Sequence, residues 1–216
     1  VDRNFLGGQS YIFPLWIYEG EGGLFGVTKK SNINPELEST IEKLYKKKDL
    51  TEAIFYYIYA VLYCPKYREA FAEQLQIDYP KVPFTNDYQL FKIISEIGKS
   101  LSDLHLLTSH ELSKPLIKFN GKGNNKVTDI EFKESDEQLY INPAQYFTGI
   151  TKEMWEWEVG KNKPIQRWIK NAKDKELGLN ETIEFGKICS AIKLTFDKQN
   201  EVDNHYEDIL KNLMVI

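Results

Sequence analysis

Residues Glu52 to Cys64 are apolar around almost the whole circumference of a helix. Such a helix is stable in water only when neighbours cover it on most sides. It therefore predicts a central buried helix with other elements packed around it. Asp49 followed by Glu52 resembles a capping box at its start, and Pro65 stops it. Pro65 also opens a further helix, to about Gln76. The apolar run Ala53–Cys64 is too short to span a bilayer and contains four tyrosines.

The flanking segments supply the covering elements. Ser10–Tyr18 is apolar and aromatic with Pro14 inside, which suits an edge or bulged strand. Gly20–Gly26 reads as a loop. Asn34-Pro35 is an N-cap followed by proline at the first helical position. It predicts a helix to about Lys47 whose face is Leu37, Ile41 and Leu44. Tyr79-Pro80-Lys81-Val82-Pro83 is an extended connector. Asn86 reads as the cap of a long helix to about Leu107, with a seam of Leu90, Ile94, Ile97, Leu101 and Leu104.

After Ser113 the period changes. Leu116–Phe119, Val127–Lys133 and Gln138–Ile141 read as short strands. They are split by the loop Gly121–Asn125 and the turn Ser135–Glu137. The alternation in Trp155-Glu156-Trp157-Glu158-Val159 suggests another strand. Pro164 opens a helix to about Lys173, Asn180–Phe196 forms another, and the tail after Asp197 reads as a last short helix. The expected fold is α+β. A helical first half of about four helices precedes a small, mostly antiparallel sheet with two or three further helices. The division falls at 1–113, an opening strand plus helices, and 114–216, sheet plus helices. With 13 Tyr, 12 Phe and 4 Trp in 216 residues, a sizeable core is available.

Catalytic signatures are missing. The two Asn-Pro pairs, Asn34-Pro35 and Asn142-Pro143, do not continue into the Asn-Pro-Pro-aromatic motif with which an adenine methyltransferase holds a flipped base. Gly121-Lys122-Gly123 lacks a P-loop frame. His105 falls on the seam side of a helix, as a satisfied interior histidine does, while His110 and His205 lie in polar surroundings. Glu156 and Glu158 share one face of the expected strand, where acid/base work is conceivable and a solvated face is the plainer reading. Cys64 and Cys189 sit in apolar, helix-like runs and read as buried free thiols of a reducing cytoplasm. No catalytic or metal residue is assigned.

One feature points to a partner. Gly160–Lys175 carries Lys161, Lys163, Arg167, Lys170, Lys173 and Lys175 against Asp174, a net +5 in a chain whose formal charge is −4. Phosphate neutralisation requires cations clustered on one surface. Asn162, Gln166 and Arg167 add groups able to read base edges. A solvated helix face, with Ile165 and Trp168 turned into the core, explains the same pattern. The basic loop Gly121–Lys126, with Lys122, Asn124 and Asn125, is a second candidate for DNA contact. Gln9 and Tyr11, after Gly7-Gly8, are a third. An ordinary loop and a plain strand start are the alternatives for these two.

Longer strings carry more than composition does. Gly8–Leu15 (GQSYIFPL), Ile54–Leu62 (IFYYIYAVL) with Pro65-Lys66-Tyr67-Arg68, Asp78–Pro83 (DYPKVP) and Gly98–Leu107 (GKSLSDLHLL) follow one another. Then come Tyr140-Ile141-Asn142, Gln145–Ile150 (QYFTGI), Trp155–Gly160 (WEWEVG) and Gln166–Lys170 (QRWIK). In order, and over nearly the whole chain, they resemble the C-terminal specificity region of type ISP restriction-modification enzymes and related helicase-methyltransferases. Where that family shows Gly-Gly-Tyr after Trp-Glu-aromatic, this chain has Gly160-Lys161-Asn162-Lys163-Pro164.

The resemblance implies a DNA target-recognition region of a larger cytoplasmic bacterial protein. Double-stranded DNA and the upstream domains of the same polypeptide would be its partners. S-adenosylmethionine, ATP and Mg would serve the parent's methyltransferase, motor and nuclease, with no cofactor in this part. A structural coupling module without base reading is the alternative.

Overall fold

The first helix forms as its local signals require. In the computed structural model, which describes residues 14–19 and 28–214, Asn34 Oδ1 accepts from the backbone N–H groups of Glu36 (2.8 Å) and Leu37 (3.3 Å). Pro35 occupies the first turn, where its missing N–H costs nothing. The chain divides into two compact units, 1–98 with 205–216 and 99–204.

In the first unit, β1 (Trp16–Glu19) pairs antiparallel with β2 (Thr28–Ser31). The expected loop Gly20–Gly26 and the first part of the expected strand, Ser10–Phe13, lie outside the described residues. Then follow α1 (Pro35–Tyr45), α2 (Thr51–Tyr63), α3 (Pro65–Ala70), α4 (Gln74–Ile77) and the start of α5 (Tyr88–His105). The face α1 buries is Ile41 and Tyr45, one turn apart; Leu44 is exposed.

The capping box expected at Asp49–Glu52 does not form. Asp49 takes a left-handed conformation (φ 59°) and donates its N–H to Glu42 Oε1, so α2 starts at Thr51 without a side-chain cap. α2 buries one face completely, through Ile54, Tyr57, Ala60 and Val61, and leaves the opposite aromatic face half-buried. Tyr57 stacks between Phe84 and Phe91, at 5.0 and 5.2 Å between centroids. Gly98 of α5 lies so close to α2 that a Cβ there would overlap the Tyr56 carbonyl oxygen.

The helix expected from Pro65 to Gln76 is broken into α3 and α4. The cap of α5 is Asp87, whose Oδ1 accepts from Gln89 and Leu90 N–H. Asn86 instead donates to the backbone oxygens of Asn212 and Leu213. All five predicted seam residues of α5 are buried.

The second unit contains a four-stranded antiparallel sheet of order β3-β6-β5-β4. Its strands are β3 (Lys118–Asn120), β4 (Glu131–Lys133), β5 (Gln138–Asn142) and β6 (Gln145–Thr148). β6 has no counterpart among the strands expected from the sequence. The stretch expected as a strand at Trp155–Val159 begins instead as the helix α6 (Lys152–Glu156), capped by Thr151 Oγ1 accepting from Met154 N–H. α7 (Pro164–Asn171) follows. α8 (Leu179–Lys211) continues through the residues expected to separate two helices. Val202, Tyr206 and Ile209 are buried at helical spacing, which carries the helix past Asp197.

The core of this unit packs Leu139, Ile141 and Phe147 of the sheet against Ile165 and Ile169 of α7 and Phe185, Cys189 and Ile192 of α8. Helical and sheet parts thus form the α+β fold expected. Cys64 and Cys189 are buried thiols, and burial pushes the Cys189 thiol well above its ordinary range. No helix among the described residues is long and apolar enough to cross a membrane.

Candidate nucleic-acid interface

The basic stretch begins at a tight turn. Val159 and Asn162 exchange backbone hydrogen bonds of 2.8 and 3.2 Å around Gly160, whose φ of 64° suits glycine at that position. The string Gly160–Pro164, where the chain departs from the family pattern, makes this turn and enters α7.

Lys163 bridges the turn to its approach. Its ammonium pairs with Glu156 and, at 3.7 Å, with Glu158. These two carboxylates, chiefly Glu156 through its hydrogen bond, raise the Lys163 pKa. The paired glutamates thus hold a lysine, and Lys163 acts within the protein to fasten the turn.

α7 turns Ile165 and Ile169 inward and Arg167 and Lys170 outward. Arg167 Nη1 donates to Asn162 Oδ1 at 3.2 Å, fixing both side chains at the helix start. Gln166 Nε2 donates to the Trp155 carbonyl at 3.0 Å. Lys161, Asn162, Gln166, Arg167 and Lys170 line one open depression. Lys161, Lys170, Lys173 and Lys175 are exposed.

The loop Gly121–Lys126 meets the far end of this stretch. Val127 N–H donates to Lys175 O (2.9 Å), Asp174 N–H to Val127 O (2.8 Å), and Leu177 N–H to Asn125 O (2.9 Å). Two basic segments separated by about fifty residues of sequence are thereby laced side by side. Lys122, Asn124 and Lys126 are exposed on that loop; Asn124 Oδ1 accepts from Lys126 N–H. Asn125 differs, because both ends of its amide are engaged within the protein. Gln9 and Tyr11 lie outside the described residues.

Sequence reasoning missed the residues beneath the loop, Asn142 and Gln145. Asn142-Pro143 is a turn signal, but nothing local reveals that the turn's amides reach the loop twenty residues earlier. His105 is half-buried, and its Nε2 lies 3.1 Å from Thr195 Oγ1. Burial lowers its pKa. No group of three or more potential metal ligands occurs among the described residues.

The fold is shared with three solved structures. The cryo-EM structure of a DrdV–DNA complex matches with a TM-score of 0.63 and 17% identity, over 88% of this chain and 21% of that one. The ATP-dependent type ISP restriction-modification enzyme LlaBIII, bound to DNA, matches with a TM-score of 0.58 and 20% identity, over 94% and 14%. A nuclease-deletion mutant of the type ISP enzyme LlaGI, in complex with a DNA substrate mimic, matches with a TM-score of 0.54 and 20% identity, over 82% and 14%. The chain thus spans about a fifth or less of each of these proteins. A comparison with curated proteins returned no match. The family model described as the type ISP C-terminal specificity domain matches residues 1–193, and the chain belongs to that family.

Proposed function

We propose that this chain reads a double-stranded DNA target on behalf of a longer restriction-modification polypeptide, through one composite surface formed by residues 160–175 and the loop 121–126. The observation that carries this reading is the backbone lacing of Val127, Asp174, Lys175 and Leu177. It turns two separate basic strings into one exposed cationic strip within a single unit. Phosphates along a duplex are met by such a strip, and the amides of Asn162 and Asn124 lie among its cations, where base edges would be presented, while Gln166 has both ends of its amide engaged by Trp155 and Lys170. The DNA complexes of the three structural neighbours support the same partner.

The longer polypeptide would be a bacterial, cytoplasmic adenine-N6 methyltransferase coupled to a motor and a nuclease. It would use S-adenosylmethionine, ATP and Mg outside this chain. Recognition here would place the methyltransferase on its adenine. In this reading residues 1–113 and 114–216 act together as the recognition region.

Charge reversal at Lys161 and Lys170 (K161E, K170E) tests the surface. Duplex affinity measured by anisotropy should fall by about tenfold or more at moderate salt, since each lost phosphate contact removes an electrostatic term. Affinity within twofold of the starting chain, with the fold intact, removes the surface from the reading.

A coupling role for the first unit has its own support. Ile77 is 85% and Tyr79 68% exposed beside Tyr67, Phe71 and Leu75, an apolar groove of the kind other domains cover.

A further inference from the structure

Gln145 is 2% exposed at the start of β6. Its Oε1 accepts from Asn125 N–H (2.8 Å) and from Asn142 Nδ2 (3.1 Å), and its Nε2 donates to Asn125 Oδ1 (2.7 Å). Asn125 Nδ2 continues to Leu177 O at 3.1 Å. Asn142 Nδ2 also reaches Lys126 O at 3.0 Å, while its Oδ1 accepts from Ala144 and Gln145 N–H. Three chain segments thus converge on three amides: the loop 121–126, the β5–β6 turn and residues 174–177.

Two backbone features lock the loop onto this cluster. Asn125 is left-handed (φ 58°), and Gly121 (φ 94°) passes so near Ala144 that a Cβ would overlap its carbonyl oxygen. Among the described residues no buried side-chain polar atom lacks a partner. A fully satisfied buried network fixes geometry, because its bonds are directional and its members cannot shift singly without stranding a buried group.

We propose that Gln145 and Asn125 are positioning residues. They hold Lys122 and Asn124 in line with Lys173 and Lys175, so that the loop engages DNA only while the cluster is intact. The proposal rests on the reading of this surface as a DNA interface, and a double-mutant cycle separates the two. Lys122→Glu and Lys161→Glu are each introduced into the starting chain, into Gln145→Leu and into Asn125→Gly. The glycine suits the left-handed backbone and keeps both main-chain bonds of residue 125, so it carries the test in the event that Gln145→Leu does not fold. Binding to a mixed-sequence duplex is followed by anisotropy, with the fold checked by amide hydrogen exchange.

In the starting chain Lys122→Glu should weaken binding by about threefold or more, and in the folded cluster variants by less than about 1.5-fold, whereas Lys161→Glu should cost the same factor in every background. An undiminished Lys122→Glu effect in a folded cluster variant overturns the positioning role. So does a Lys122→Glu without effect in the starting chain while Lys161→Glu weakens binding. If neither reversal matters there, the interface reading falls and the positioning role falls with it.

Discussion

At the scale of single residues, the structure separates groups that look alike in sequence. Thr195 Oγ1 donates its one proton to Ala191 O at 2.8 Å. A neutral His105 with its proton on Nε2 satisfies both this contact, at 3.1 Å, and the hydroxyl's own bond. Burial depresses the His105 pKa below its ordinary 6.5. The unfolded chain then binds this proton at higher pH than the folded one, so His105 costs stability as pH falls below about 6.5, until the folded residue itself protonates. Melting temperatures at about pH 7.5 and about pH 5.5 should differ less in His105→Gln than in the starting chain. An equal difference in the two would show that His105 does not carry the slope. Lys163 and Asn125 make a similar point. Each belongs to a basic or amide-rich string that suggests DNA contact, yet Lys163 is occupied by Glu156 and Glu158, and Asn125 by Gln145 and Leu177.

At the scale of elements, Phe185 shows how α7 is held. It projects from α8, fully buried, with its ring 4.5 Å from Phe147 of β6 and 4.6 Å from Trp168 of α7. Removing the ring undercuts the helix that carries Arg167 and Lys170. Phe185→Ala should cost about 4 kcal/mol in urea unfolding, and Phe185→Leu markedly less, because the smaller void can partly close. Equal costs would show that ring volume is not what supports α7. Which elements were legible from sequence follows from how local their causes are. The starts at Asn34-Pro35 and Pro164 and the seam of α5 depend on neighbours within a turn or two, and each was read. Where causes are distant, structure and local sequence signals part. Asn86 and Asp87 are both able caps, and the choice falls to Asp87 because Asn86 is engaged by the backbone of residues 212 and 213. Trp155 and Trp157 both pack on one core, one from the last turn of α6 and one from the extended residues after it. Their alternation therefore imitates a strand. The basic stretch of the site was visible as charge. Its joining to the loop was not, since it depends on backbone bonds between residues 125–127 and 174–177.

At the scale of the whole molecule, a net charge of −4 opposes DNA while Gly160–Lys175 carries +5. On the proposed reading, association with DNA would depend on a few close contacts rather than on the overall field. The composite strip exposes Lys122, Lys126, Lys161, Lys170, Lys173 and Lys175. If all six neutralised phosphates, log affinity against log salt would fall with a slope of about −5, and Asp174 and Glu176 in the same strip make about −3 to −4 the expected value. Anisotropy titrations of a mixed-sequence duplex across a salt series measure this slope directly. Reversing Lys170 and Lys173 together should flatten it by about 2, while reversing two exposed lysines of the first unit, such as Lys66 and Lys81, should leave it unchanged. A slope near zero would mean that duplex binding does not run through these cations. A flattening by the control pair equal to that at Lys170 and Lys173 would spread the interface beyond the strip, and the local clustering of charge that organises this surface would lose its meaning.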